Sequence, residues 1–208
     1  MASTLTGGER FSQLLEIASS LFSRQGYLGT SLTQIADALG IKKASLYYYI
    51  HSKEELLELV YAKVASELHD PIQRIDRDLS PCQQLWTLIQ NHVAFHVRHG
   101  DFVRTIWRER HVLPAEVYDR IRSAEVGYES TVYRLLAAAQ SDGCVDDYDT
   151  DLLRDSLLGM LTTVYRWPAS GPDEERIRLV SAHIFRLVLS GRTTCPVHAT
   201  RHASHATA

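Results

Sequence analysis

The sequence predicts an all-α chain in two parts, a three-helix N-terminal unit and a longer helical C-terminal region. Three observations carry this. Apolar residues recur at three- and four-residue steps, and Val, Ile and Thr nowhere sustain a two-residue alternation. Residues 31–53, SLTQIADALGIKKASLYYYIHSK, hold two short helical patterns around Leu39-Gly40-Ile41. The second of these carries Lys42, Lys43, Ser45, Tyr47, Tyr48 and Tyr49 with no acidic residue among them, as a helix-turn-helix requires.

The first helix is expected from Glu9 to Arg24, with Phe11, Leu14, Leu15, Ala18, Leu21 and Phe22 as its apolar stripe and Gly26 as its stop. Ser31 is a good N-cap for a second helix reaching Leu39, with Ile35, Ala36 and Leu39 inward. Gly40 makes the turn, where a positive φ is needed. The third helix spans Lys43 to Ile50. Ser52-Lys53-Glu54-Glu55 reads as a capping box opening a fourth helix, which Pro71 ends or kinks. Further helices are expected near 72–78, 81–99, 101–111, 114–141, 149–167 and 172–190, with Pro81 and Pro114 at first helical positions. Residues 167–172 form the clearest loop. The Thr/Ala/His-rich stretch 193–208 has no periodicity and is expected to be a disordered tail.

In the third helix, Leu46 and Ile50 lie four apart and form the buried pair. The three tyrosines point at successive angles of about 100° and therefore project in part toward a partner. Lys43 suits guanine edges or phosphate, Lys42 lies beside it, and the hydroxyls of Ser45 and the tyrosines suit phosphates. Lys53 and the N-terminus of the fourth helix offer a second phosphate site. A chance helical pattern, with the tyrosines filling a core, is the alternative from pattern alone.

Residues 10–56 resemble the N-terminal domain of the TetR family of one-component transcriptional regulators. The matching motifs, in order, are Leu21-Phe22 with Gly26-Tyr27, Thr30-Ser31 before Ile35-Ala36, Leu39-Gly40-Ile41, Ser45-Leu46-Tyr47-Tyr48-Tyr49-Ile50 and Lys53-Glu54-Glu55-Leu56. The resemblance implies a homodimer with a helix-turn-helix DNA-binding domain and a C-terminal helical ligand-binding and dimerisation domain. By position, Lys43, Ala44 and Tyr47 match base-reading sites, and Ser45, Tyr48, Tyr49 and Lys53 match phosphate contacts. Thr33 and Gln34 match contact positions on the second helix, and Ser31 matches its cap. Position 49, often His in the family, is Tyr here, and the basic residues often found before the first helix are reduced to Arg10.

The remaining chain is read physically. Residues 85–167 hold all three tryptophans and many tyrosines, which serve either as core or as the walls of an apolar pocket. Arg104, Arg108 and His111 share a helix face beside Trp107, an arrangement suited to an amphipathic anion such as a fatty acid or an acyl-CoA thioester. A solvated face paired with Glu109, Glu116 and Asp119 is the alternative. The candidate ligand set is Trp86, Phe95, His96, Arg104, Trp107, Arg108, His111, Tyr128 and Tyr165. His92, His96 and His99 share a face and have the spacing of a metal site, but no Cys or carboxylate completes the set, so partly exposed histidines are expected there. The last two helices carry wide apolar faces, one side for the core and the other for a partner. By the resemblance they build the dimer interface.

The net charge of −3, with all four lysines between 42 and 63, places a small cationic patch on an acidic protein. Cys82, Cys144 and Cys195 form no CxxC and suggest neither a zinc ribbon nor a disulfide framework, so a reducing cytosol is expected. No signal peptide or membrane span is evident. The sequence therefore points to domains at 1–56 and 57–192 and to a cytoplasmic, homodimeric repressor with double-stranded operator DNA and a small-molecule effector as partners. No catalytic residue, metal or cofactor is assigned. The alternatives are a helical enzyme using the His/Arg-rich middle, and a ligand-independent DNA-binding protein.

Overall fold

Eight α-helices and one 3-10 turn account for the regular structure among the described residues, with no strand among them. The structure is a computed structural model. It describes residues 7–109, 114–167 and 171–189, the side chains of 106–109 excepted. Expectations for the side chains of Trp107 and Arg108, for His111 and for the tail 193–208 lie outside the described residues.

The helices are α1 Gly7–Gln25, α2 Leu32–Leu39, α3 Lys43–Leu46, α4 Lys53–Gln73, α5 Pro81–Glu109, α6 Ala115–Ser141, α7 Thr150–Thr162 and α8 Asp173–Val188, with the 3-10 turn Val164–Arg166 after α7. They gather into two units. The first takes the described residues up to Glu67 together with His99–Ala124; the second takes Leu68–Arg98 and the described residues from Glu125 onward.

In the first unit, α1 packs on α2 and α2 on α3. Leu14, Ala18 and Phe22 of α1 are buried with Ile35, Ala36 and Leu39 of α2, Leu46 and Ile50 around α3, and Leu56, Leu57 and Val60 of α4. Phe22 meets the Tyr27 ring edge-on at 5.5 Å between centroids. Of the stripe expected for α1, Leu14, Leu15, Ala18 and Phe22 are buried and Phe11 and Leu21 are half-buried, and the three residues expected inward on α2 are all buried.

Several boundaries differ from the sequence expectation, among them the end of α7, which stops at Thr162 before the 3-10 turn; four others have a local physical reason. Helix α3 ends at Leu46, because its last turn tightens: Tyr48 and Tyr49 donate to the carbonyls of Ser45 and Leu46, three residues back. Helix α4 runs two residues past Pro71, and the separate helix expected at 72–78 is instead a turn in which the Asp78 N–H donates to the Asp76 carboxylate at 2.9 Å. Helix α5 continues through Gly100 as one helix where two were expected. A mid-helix glycine costs only about 1 kcal/mol against Ala, and the buried face continues past it from Phe95 and His96 to Phe102 and Thr105. Pro114 precedes α6 and accepts the Val117 and Tyr118 N–H groups on its carbonyl, and so does not occupy the first helical position.

The second unit is built on a core of α5, α6, α7 and α8 residues, among them Leu85, Leu88, Ile89, Val132, Leu136, Leu157, Leu161, Ile184 and Phe185. Cys82 and Cys144 lie in this core and form a disulfide, Cα–Cα 5.7 Å, which corrects the expectation of unpaired cysteines. Their 62-residue separation matches no short motif; the fold alone brings the start of α5 to the turn after α6. Among the described residues no helix is long and apolar enough to cross a membrane.

Candidate DNA-binding surface and buried histidine cluster

The turn between α2 and α3 is fixed at both ends of α2. At its start, Ser31 Oγ accepts from the Gln34 N–H at 3.2 Å while Gln34 Oε1 accepts from the Ser31 N–H at 2.7 Å, a full capping box. At its end, Gly40 takes φ 72°, its N–H donates to the Asp37 carbonyl at 3.1 Å, and the Ile41 N–H donates to the Ala36 carbonyl at 3.0 Å. This Schellman pattern needs a residue that adopts positive φ at little cost, which is why glycine stands there. Arg10, expected as the remnant of a basic arm, lies in α1 and donates to the Leu39 carbonyl at 3.5 Å and to Gln13 at 3.2 Å.

With Leu46 and Ile50 fully buried, the remaining residues of the segment face outward. Lys42, Lys43, Ala44 and Ser45 are exposed, Tyr47 is 47% exposed and Tyr48 87%, while Tyr49 is half-buried with Tyr48 edge-on to it. On α2, Thr33 and Gln34 are exposed. Gln34 is also committed locally, through its capping bond and a 3.1 Å bond to Gln25. Lys53 stands over the Tyr27 ring at 4.2 Å, and the Tyr27 hydroxyl donates to Glu54 at 3.0 Å. Burial and the Glu54 carboxylate raise the Tyr27 pKa, so this phenol stays protonated. The box opening α4 is a variant. The Glu55 N–H donates to Ser52 Oγ at 3.1 Å, but its carboxylate receives the His51 N–H, one residue beyond the cap.

The candidate ligand residues divide. Arg104, in the first unit, is exposed and paired with Asp101. Phe95, His96, Tyr128, Tyr165 and Trp86 all belong to the second unit. Trp86 packs edge-on against Phe185 at 5.0 Å. The others gather around two histidines that the sequence placed at a partly exposed face. Instead, His92 is 2% and His96 3% exposed. Their rings stack at 4.8 Å, Phe95 meets His96 edge-on, and Tyr165 stacks toward His96 at 6.5 Å. Tyr128 Oη lies 2.5 Å from His92 Nδ1, and His69 stacks on the Tyr128 ring at 5.4 Å. His99 is not part of this cluster; it pairs with Glu67 at 2.7 Å in the first unit. Among the described residues no group of histidines, cysteines and carboxylates could hold a metal ion.

His92 Nε2 has no hydrogen-bond partner among the described residues. A buried polar atom left unpaired costs about 1–3 kcal/mol, so the position is an unusual one to retain. Burial, then the neighbouring imidazoles of His96 and His69, holds the His92 pKa well below its ordinary value. Native His92 is therefore neutral, whereas in the unfolded chain it takes up a proton near pH 6.5. Stability is then lost as the pH falls below 6.5, by up to about 1.4 kcal/mol per pH unit from this residue until the native group itself titrates. Urea unfolding at pH 7.5 and 5.5 is expected to show this loss in the wild type and less of it in His92→Leu. Equal losses in the two would contradict a buried neutral His92.

Helices α7 and α8 turn Leu157, Leu161, Ile177, Val180 and Ile184 to the core and leave Leu152, Leu179 and Leu187 exposed. Such a leucine-bearing surface on two helices suits a helical dimer interface.

Comparison with known proteins agrees with this architecture. Residues 14–60 match the family model described as bacterial regulatory proteins, tetR family, and residues 78–192 match the tetracyclin repressor-like C-terminal domain. The HTH-type transcriptional repressor KstR2 of Mycolicibacterium smegmatis is 26% identical over 165 residues, 78% of this chain and 80% of that protein. The negative transcriptional regulator IcaR of the Staphylococcus aureus biofilm operon is 48% identical over 46 residues, 22% of this chain and 25% of its own length. Among solved structures, AibR in complex with isovaleryl coenzyme A and operator DNA is similar with a TM-score of 0.74 at 25% identity, over 85% of this chain and 98% of that one. KstR2 of Mycobacterium tuberculosis shares the fold with a TM-score of 0.77 at 21% identity, over 91% of this chain and 100% of that one. Both KstR2 proteins and IcaR are named as regulators of transcription. With one family model on its helix-turn-helix and another spanning more than half of its length, the chain belongs to the TetR family of DNA-binding transcriptional regulators.

Proposed function

We propose that this protein is a homodimeric repressor that grips a palindromic operator through the α3 surface and releases it when a small amphipathic or hydrophobic effector occupies the C-terminal region. The observation that carries the DNA half is the exposure of Lys42, Lys43, Ser45, Tyr47 and Tyr48 above a fully buried Leu46 and Ile50. In this reading Lys43, Ala44 and Tyr47 meet base edges. Lys42, Ser45, Tyr48, Tyr49 and Lys53 meet phosphates, with Thr33 and Gln34 flanking them and Ser31 fixing α2. Residues 1–56 carry the DNA contacts and 57–192 the effector and dimer contacts, the latter through α7 and α8. One short α3 reads too few base pairs, whereas two held one helical turn apart read a palindrome.

The effector is proposed to be a fatty acid or an acyl-CoA, bound near Phe95, His96, Tyr128 and Tyr165, with Trp86 close by in sequence. AibR, a structural relative at 25% identity, was crystallised with isovaleryl coenzyme A and operator DNA, which supports the acyl class. The effector acts by preferring a dimer whose α3 spacing no longer fits the operator, and it can shift DNA affinity only by that preference. The cytoplasm, where operator DNA is met, is the proposed location.

A mobility-shift titration on operator DNA, with and without acyl-CoA thioesters and fatty acids of two to eighteen carbons, tests this function. Couplings of this kind are worth about 5- to 150-fold, so at least one compound is expected to weaken operator binding within that range. Unchanged affinity across the whole panel would overturn the effector half and leave the DNA half standing.

A further inference from the structure

We infer that His92 is the polar anchor for the effector, donating a hydrogen bond from Nε2 to a neutral carbonyl oxygen, as in a thioester, ester or ketone, and not to a carboxylate. This deepens the effector-binding reading of the C-terminal region and rests on it.

The geometry assigns the proton. Burial keeps the Tyr128 hydroxyl protonated, and its one hydrogen-bonding neighbour among the described contacts is His92 Nδ1, at 2.5 Å. If Nδ1 carried the proton, the hydroxyl hydrogen would have no acceptor. The pairing in which Tyr128 donates and Nδ1 accepts satisfies both groups, and it leaves the His92 proton on Nε2. That N–H is one of the buried polar atoms with no hydrogen-bond partner among the described residues. Buried polar groups in native proteins are nearly always paired, and an exception calls for a water or a ligand. His92 is 2% exposed and stacked on His96, so the donor is held rigidly in an apolar, aromatic setting.

The same setting selects the acceptor. Burial and the neighbouring imidazoles of His96 and His69 keep His92 neutral, and the Arg166 guanidinium is engaged over the Tyr165 ring, 5.5 Å from its centroid. A carboxylate accepting from Nε2 would be stripped of water and meet only a neutral N–H at that point, which is strongly unfavourable. A neutral carbonyl needs only the N–H that is already in place. The aromatic rings of Phe95, His96 and Tyr165 beside it suit the apolar chain that such a carbonyl carries.

The test uses the full-length dimer, isothermal calorimetry and a panel of acyl-CoA thioesters and fatty-acid methyl esters from two to eighteen carbons, each set against the free acid of the same chain length. At least one neutral carbonyl compound is expected to bind the wild type about tenfold or more tightly than its free acid. His92→Leu should weaken that compound about tenfold, in line with one neutral hydrogen bond. His92→Gln, which keeps a side-chain N–H donor, should bind within about threefold of wild type. Tyr128→Phe, which frees Nδ1 to take the proton, should weaken binding without weakening the operator complex. Equal affinity of free acid and neutral compound, or wild-type affinity in His92→Leu, would overturn the anchor while leaving an effector-binding protein. No binding by any compound would overturn the effector reading and the anchor with it.

Discussion

Replacing Lys43 and Tyr47 together by Ala is expected to lower operator affinity by at least about a thousandfold while leaving the dimer intact. Each good base contact is worth about 1–3 kcal/mol of discrimination, and a symmetric dimer loses every contact twice. Four lost contacts at the low end come to about 4 kcal/mol, close to three powers of ten. Both side chains are exposed, and neither supports the core beneath α3, which rests on Leu46 and Ile50. Folding and dimerisation therefore stay as they were. Footprinting and size-exclusion chromatography of the double variant check the two halves of the expectation. A footprint like that of the wild type would remove α3 from the DNA interface. Lys42→Ala, at a proposed phosphate contact, differs in kind: it should weaken all DNA sequences about equally and reduce the salt dependence of binding.

Phe22→Ala is expected to destabilise the first unit by about 3–5 kcal/mol, the range for truncating a buried phenylalanine. Phe22 is fully buried and packs on Tyr27, whose ring also carries Lys53 and whose hydroxyl donates to Glu54. The substitution thus opens a cavity beneath the contacts that seat the start of α4. Native proteins are stable by only about 5–15 kcal/mol, so the loss is a large share of the total. Denaturant unfolding followed by tyrosine fluorescence measures it. A change below about 1 kcal/mol would mean that the unit does not rest on the α1 core described here.

Much of this was legible beforehand, for stated physical reasons. Three-and-four spacing placed Leu14, Ala18 and Phe22 inward, and the same arithmetic put Leu46 and Ile50 beneath α3 with Tyr47 and Tyr48 outside. Turn chemistry identified Gly40, where φ is 72°. What failed depended on partners distant in sequence. The histidines at 92, 96 and 99 share a helix face, yet the first is buried against Tyr128, 36 residues away, the second against His92, Phe95 and Tyr165, and the third pairs with Glu67. Periodicity sees a face but not what covers it. The Cys82–Cys144 pair is hidden in the same way by 62 residues of chain. Prolines and glycines misled in the other direction. Pro71 and Gly100 were given more power to end helices than they have where buried residues such as Ile72 and Phe102 continue the packing.

The most direct test of the central claim is selection of binding sites from random duplex DNA by the purified full-length protein. A dimer presenting two α3 surfaces is expected to enrich a palindrome whose half-sites lie about one helical turn apart, and the Lys43→Ala, Tyr47→Ala double variant should enrich nothing. Enrichment of no common sequence by the wild type, or of the same palindrome by the double variant, would contradict the account.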